Sequence, residues 1–216
     1  MIFRSVLAWV GWNSFLALIP VALGYAVSLF SHLVNKRRHF VLYIAIAVLA
    51  LCWMAFLPNT CYLLTEWRHF LAMLNDTDLQ AQRLSGHNPN AIFWLLLYTL
   101  FFLGYSLFGM LTFTLAIRPV DRLMRGYTKH QWLIGIPFFL LISLGVYLGL
   151  VHRFNSWDII TRTGLLYSTV LQVISRPLLL AFIVLFGVFL WLSYFVINIW
   201  VDGFCLYLQR WKFVRK

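Results

Sequence analysis

Apolar residues run almost unbroken through five stretches of the chain, at about 5–30, 40–57, 91–116, 132–151 and 177–201, and polar residues collect between them. A run of about 20 apolar residues matches the hydrocarbon thickness of a bilayer when it is helical, and a backbone in lipid must pair its polar groups internally. The pattern therefore predicts an all-α membrane protein with five transmembrane helices in one integral domain, residues 1–216. Asn13 and Pro20 fall inside the first run. An amide there is expected to hydrogen-bond across helices, and neighbouring helices tolerate the proline. The second run is expected to stop at Pro58, whose ring cannot continue the helical ladder. In the third, Gly104 and Gly109 offer places for close helix approach.

Two shorter stretches have helical periodicity with a polar side. The first begins Leu57-Pro58-Asn59-Thr60-Cys61-Tyr62-Leu63-Leu64-Thr65-Glu66-Trp67-Arg68-His69-Phe70. At about 100° per residue, Tyr62, Thr65, Glu66 and His69 share one sector, while Leu63, Trp67, Phe70, Leu71 and Leu74 lie opposite. The second covers residues 159–176, where Leu166, Val170, Leu171 and Ile174 oppose Thr169, Gln172 and Arg176. Both are expected to be amphipathic helices, interfacial or re-entrant. Residues 75–90, with Gly86 and Pro89 as breakers, read as a solvent-exposed loop.

The charges set an orientation. Segments 31–39, 117–131 and the tail hold eleven Lys and Arg; Arg4 and segments 58–90 and 152–177 hold six. The more basic side is expected in the cytoplasm, with the N-terminus outside and the C-terminus inside. Both amphipathic stretches then face the extracytoplasmic compartment. Only 11% of residues are charged and 62% are hydrophobic, too little polar surface for a soluble domain. The net charge of +11 raises nucleic acid as a partner, but its clustering beside spans fits anionic lipid instead. Membrane lipid and a membrane-protein partner are expected, and nucleic acid is not. No cleavable signal peptide is evident, because the first run is too long and its basic flank is at the wrong end. Cys52, Cys61 and Cys205 lack metal-ligand spacing and read as packing residues.

The chemistry-bearing groups gather in two motifs. Glu66 and His69 form Glu-x-x-His, a spacing that lets both reach one ion. Asp158 or His152 from His152-Arg153-Phe154-Asn155-Ser156-Trp157-Asp158 could complete such a metal or acid–base set. A plainer reading has Glu66 pair with Arg153 or His69 to anchor its helix. Asn59 or Thr60, and Asn155 or Ser156, would cap the helices they precede, with Asp158 at the positive dipole end. Trp67 and Trp157 suit the interfacial aromatic belt. Capping combined with an Arg153–carboxylate lock between the motifs is the favoured expectation. A Ser156 nucleophile lacks an elbow motif. His32, His39, His69, His87, His130 and His152 all fall at span ends or in loops, which argues against an intramembrane haem. No other cofactor is indicated.

The residues Leu57, Pro58, Asn59, Tyr62, Leu63, Thr65, Glu66 and His69, followed by Arg153, Asn155, Ser156, Trp157 and Asp158, carry a resemblance. The chain resembles an uncharacterised bacterial membrane-protein family, domain of unknown function 1361, from about the second span through the fifth. It departs from that family's pattern at Glu66, where Asp is usual, and at Cys61, where Pro is usual. The resemblance implies a bacterial cytoplasmic membrane and no assigned activity. Three function classes follow. One is an accessory, assembly or docking protein with an extracytoplasmic polar platform, in which Asn59, Tyr62, Thr65, Arg153, Asn155, Ser156 and Trp157 bind or lock. Another is a hydrolase or transferase of lipid-linked substrates using Glu66, His69 and Asp158. The third, a transporter component, is weakest, since no ionisable residue interrupts the core of a predicted span.

Overall fold

The computed structural model describes residues 2–36, 40–67, 70–71, 89–126 and 131–214, with side chains described for 10–34, 40–67, 70–71, 92–126 and 134–211. Eight helices follow one another among them: α1 (Ile2–Lys36), α2 (Phe40–Phe56), α3 (Pro58–Thr65), α4 (Pro89–Arg125), α5 (Gln131–Val151), α6 (Asp158–Thr161), α7 (Thr163–Ile174) and α8 (Pro177–Val214). Five stretches are long and apolar enough to cross a membrane: Val10–Val34, Phe40–Thr65, Ile92–Arg125, Ile134–Val151 and Pro177–Trp211. Val41, Leu51, Leu178, Leu185 and Val196 are each well exposed on these helices, as expected for a surface solvated by lipid rather than water. The architecture is an all-α, multi-pass membrane bundle.

The helices outrun the apolar stretches that announce them. α4 has 37 residues and α8 has 38, or about 55 Å each at 1.5 Å per residue, against about 30 Å of hydrocarbon. The basic segment from residue 117, which follows the third predicted span, is therefore helical as far as Arg125, straight through Pro119, and the basic tail is helical to Val214. Arg118, Asp121, Arg122 and Arg125 recur every three or four residues and so fall near one face of α4.

Pro58 does not end the second span. Leu57 keeps helical angles (φ −58°, ψ −39°), and α3 starts at Pro58 as the next element of the same crossing. Proline is tolerated in a first turn because its missing N–H has little to bond there. The short helix forms where an amphipathic helix is expected, but it is not laid on the surface. Thr60, Cys61 and Leu63 are fully buried, and α3 packs against α1, α4 and α5.

Glycines on two helices admit it. On α4, a methyl group on Gly109 would come within 2.7 Å of Leu63 Cβ and 3.0 Å of the Thr60 carbonyl oxygen. On α5, Gly145-x-x-x-Gly149 presents a bare strip. Pro58 Cγ lies 2.8 Å from where a Gly145 Cβ would be, and the Tyr62 ring fills the space above Gly149. Around this wedge the main core assembles from Trp53, Leu57, Cys61, Met110, Phe113, Ile142, Val146 and Leu190, among others. Polar groups tie the spans where packing is tightest: Trp53 Nε1 donates to the Ala116 carbonyl at 3.0 Å, and Ser143 Oγ to the Ile183 carbonyl at 2.8 Å. Such interhelical bonds are worth about 0.6–2 kcal/mol in membranes.

Gly109→Ala is expected to destabilise the bundle by about 1–3 kcal/mol, the usual range for overpacking. Gly104→Ala, on the same helix with open space at its Cβ, is expected to be neutral. Thermal unfolding of both variants in detergent checks the contrast.

Candidate functional site

The first motif splits between two neighbours. Its threonines serve their own helix: Thr60 Oγ1 donates to the Leu57 carbonyl and Thr65 Oγ1 to the Tyr62 carbonyl, both at 2.8 Å. Neither Asn59 nor Thr60 caps α3, which has no side-chain cap at Leu57. A chain that enters a helix already in helical angles leaves no free amide for a cap to meet. Tyr62 turns to α5 at Gly149. Leu63 packs with Ala17 of α1 and Tyr105 of α4.

Glu66, at the C-cap of α3, is 8% exposed and lies near enough to Tyr105 of α4 for its charge to bear on that hydroxyl. Asn13 and Ser14 of α1 also lie close to that hydroxyl. Next to it, Trp67 Nε1 donates to Ser106 Oγ at 2.7 Å, and the Trp67 ring meets Phe70 edge-on at 5.4 Å. α1, α3 and α4 thus bring polar side chains together within an apolar bundle. Of these, Asn13 and Glu66 stand out in the sequence. Ser14, Tyr105 and Ser106 do not, since small polar and aromatic residues are common in spans. His69 lies outside the described residues.

The second motif begins where α5 ends. The Phe154 N–H turns back to the Leu148 carbonyl at 3.3 Å, through Arg153 with φ 55°. That left-handed geometry commonly ends helices and usually employs glycine. The His152 ring stands between Tyr147 and Phe154, with centroids 5.8 and 6.1 Å away.

The chain then closes a reciprocal turn. The Asp158 N–H donates to the Asn155 carbonyl at 2.9 Å, and the Asn155 N–H donates to Asp158 Oδ2 at 2.7 Å. This is a capping-box arrangement with the carboxylate reaching back. Asp158 Oδ1 accepts from Thr161 Oγ1 at 3.2 Å and lies 3.6 Å from Arg162 Nε. Asp158 itself is only 4% exposed.

Two expectations change here. Asn155 and Ser156 provide no side-chain cap to α6 or α7; the Asp158 N–H, which an Asn155 side chain would cap, is already taken by the Asn155 carbonyl. The partner of Asp158 is Arg162, one turn on along its own helix. Among the described residues no ion pair joins Arg153 to Glu66 or Asp158; Arg153 is exposed. The Tyr62–Gly149 contact does bring the first motif against the end of the helix that carries the second. No group of three or more His, Cys, Asp or Glu is gathered among the described residues.

An apolar five-span bundle with two polar motifs near one end defines a multi-pass membrane protein. Residues 12–193 match the family described as protein of unknown function DUF1361, and the chain belongs to that family. No curated protein and no solved structure matches it.

Removing the Asp158 carboxylate strips the turn of its cap. Asp158→Ala is expected to lower unfolding stability by about 1–2 kcal/mol, and Ser156→Ala by less than about 0.5 kcal/mol. Paired melting curves in one detergent read the difference.

Proposed function

We propose that this protein is a non-enzymatic accessory or docking protein of the bacterial cytoplasmic membrane. In this reading the basic end of the bundle is cytoplasmic, following the charge bias, and the motif end is extracytoplasmic. The observation that carries it is the state of Asp158. Its carboxylate is engaged on both oxygens by Asn155, Thr161 and Arg162, so it builds a turn instead of offering a reactive group. That turn displays Trp157 (58% exposed) and Ile160 (83% exposed), with Arg153 exposed nearby in sequence and Tyr167 on α7. Tryptophan, tyrosine and arginine are the residue types that dominate binding energy at protein interfaces. The partner this surface fits best is another membrane protein.

The second reading, a hydrolase or transferase of lipid-linked substrates, draws on Glu66. A carboxylate only 8% exposed beside Tyr105 is a candidate acid–base group on chemical grounds, and this reading assigns His69 and Asp158 to act with it.

A photo-crosslinking residue placed at position 157 in native membranes is expected to give a discrete protein adduct that the lipid-facing position 196 does not give. Trp157→Ala is expected to lose co-isolation of that partner, whereas Glu66→Gln keeps it. Lipid adducts alone at both positions, or loss of the partner in Glu66→Gln but not in Trp157→Ala, would contradict the docking reading.

A further inference from the structure

A cavity of about 350 Å³ lies between α1 and α4, lined by Tyr25, Ser28 and His32 on one side and Arg118, Arg122 and Leu123 on the other. It sits at the basic end, remote from the two motifs. Every polar side chain on its wall can donate a hydrogen bond, and no carboxylate lines it. Arg118 is the unusual member, because its side chain is only 7% exposed. A buried guanidinium requires a partner. Its partner is Asp202 of α8, which also accepts from Arg122 at 3.3 Å. The nearby Asp121 is engaged elsewhere, with Arg125 at 2.8 Å and the Tyr194 hydroxyl at 2.9 Å. Two guanidiniums against one carboxylate leave an uncompensated positive charge beside a donor-lined hollow.

We propose that this cavity binds a phosphate group. Paired guanidiniums match phosphate oxygens in number and geometry, and the Ser28 and Tyr25 hydroxyls supply neutral donors. The volume is at the small end for ligand sites, which suits a phosphate and its immediate ester rather than a large molecule. The position is where α4 passes from its apolar run into its arginine-bearing turns, the depth at which lipid headgroups lie. Basic pockets between spans at that depth hold anionic headgroups. A phospholipid phosphate and free inorganic phosphate share this chemistry, and the test separates them.

Native mass spectrometry of the purified full-length protein would be run with phosphatidylglycerol and phosphatidylcholine in equal amounts, with and without millimolar inorganic phosphate. Preferential retention of phosphatidylglycerol, undiminished by inorganic phosphate, supports the site with a lipid source. Stabilisation by inorganic phosphate, or its displacement of the lipid, supports the site with a soluble source. Ser28→Leu fills the hollow and Arg122→Gln removes an exposed guanidinium, and both leave the Arg118–Asp202 pair in place. Each is expected to weaken the interaction about tenfold, the loss of one charge-assisted bond or of access, with the unfolding temperature in lipid-free detergent unchanged. Equal retention of both lipids together with no response to phosphate would overturn the proposal. So would variants that keep the wild-type preference.

Discussion

The bundle is organised by the entry of one short, side-chain-rich helix into the space left by glycines on two others. Pro58, Leu63 and Tyr62 occupy volume that a methyl group on Gly145, Gly109 or Gly149 would fill. In lipid there is little hydrophobic force between helices, so association depends on close packing and on the few polar bonds that packing permits. The wedge supplies that contact at one place for α1, α4 and α5 together. It also decides where the first motif's side chains go. Tyr62 is drawn to α5, while Glu66 is turned to α1 and α4.

Polar groups are distributed accordingly. At the motif end, Glu66 of α3 and Asn13 and Ser14 of α1 lie close to Tyr105 of α4, and Asp158 is satisfied within its own turn. At the basic end, ion pairs cross from α4 to α8 through Arg118, Arg122 and Asp202. An unpartnered charge near hydrocarbon costs several kcal/mol, which explains why these groups occur in sets. The two ends differ in character. One holds its carboxylate in a structural turn beneath exposed aromatic residues, and the other leaves positive charge beside a hollow.

Much of the fold is legible in the sequence, because a membrane span is declared by length and apolarity alone. The five crossings, and separate helices at the two amphipathic stretches, follow from that. The boundaries follow less well. Pro58 reads as a stop, yet a proline in a helix's first turn leaves a crossing intact, and only the glycines of the facing helices show that the chain continues inward. Gly145-x-x-x-Gly149 carries that signal at GxxxG spacing, as Gly109 does in part; Gly104, equally visible, meets nothing. Arg118 lies just past the third predicted span, because charge is expected to end a span. Asp202, 84 positions away, supplies the partner that lets the helix carry it on. Within the site, Asn155 and Ser156 are good caps by type, but the Asn155 carbonyl takes the Asp158 N–H and the Asp158 carboxylate takes the Asn155 N–H, closing the turn without a cap. Nothing local distinguishes Tyr105 and Ser106 from other span residues, so their place in the cluster follows only from the packing of α1, α3 and α4.

The buried position of α3 is the claim on which the rest stands, and a cross-link between Leu63→Cys and Gly109→Cys tests it directly. On a background with Cys52, Cys61 and Cys205 replaced, the two Cβ positions lie 2.7 Å apart, so a small shift reaches the roughly 3.5–4.5 Å of a disulfide. The wedge predicts a rapid intramolecular bond on mild oxidation, seen as a gel-mobility change reversed by reductant. Two thiols that stay free under the same oxidation would contradict it, and would place α3 away from α4.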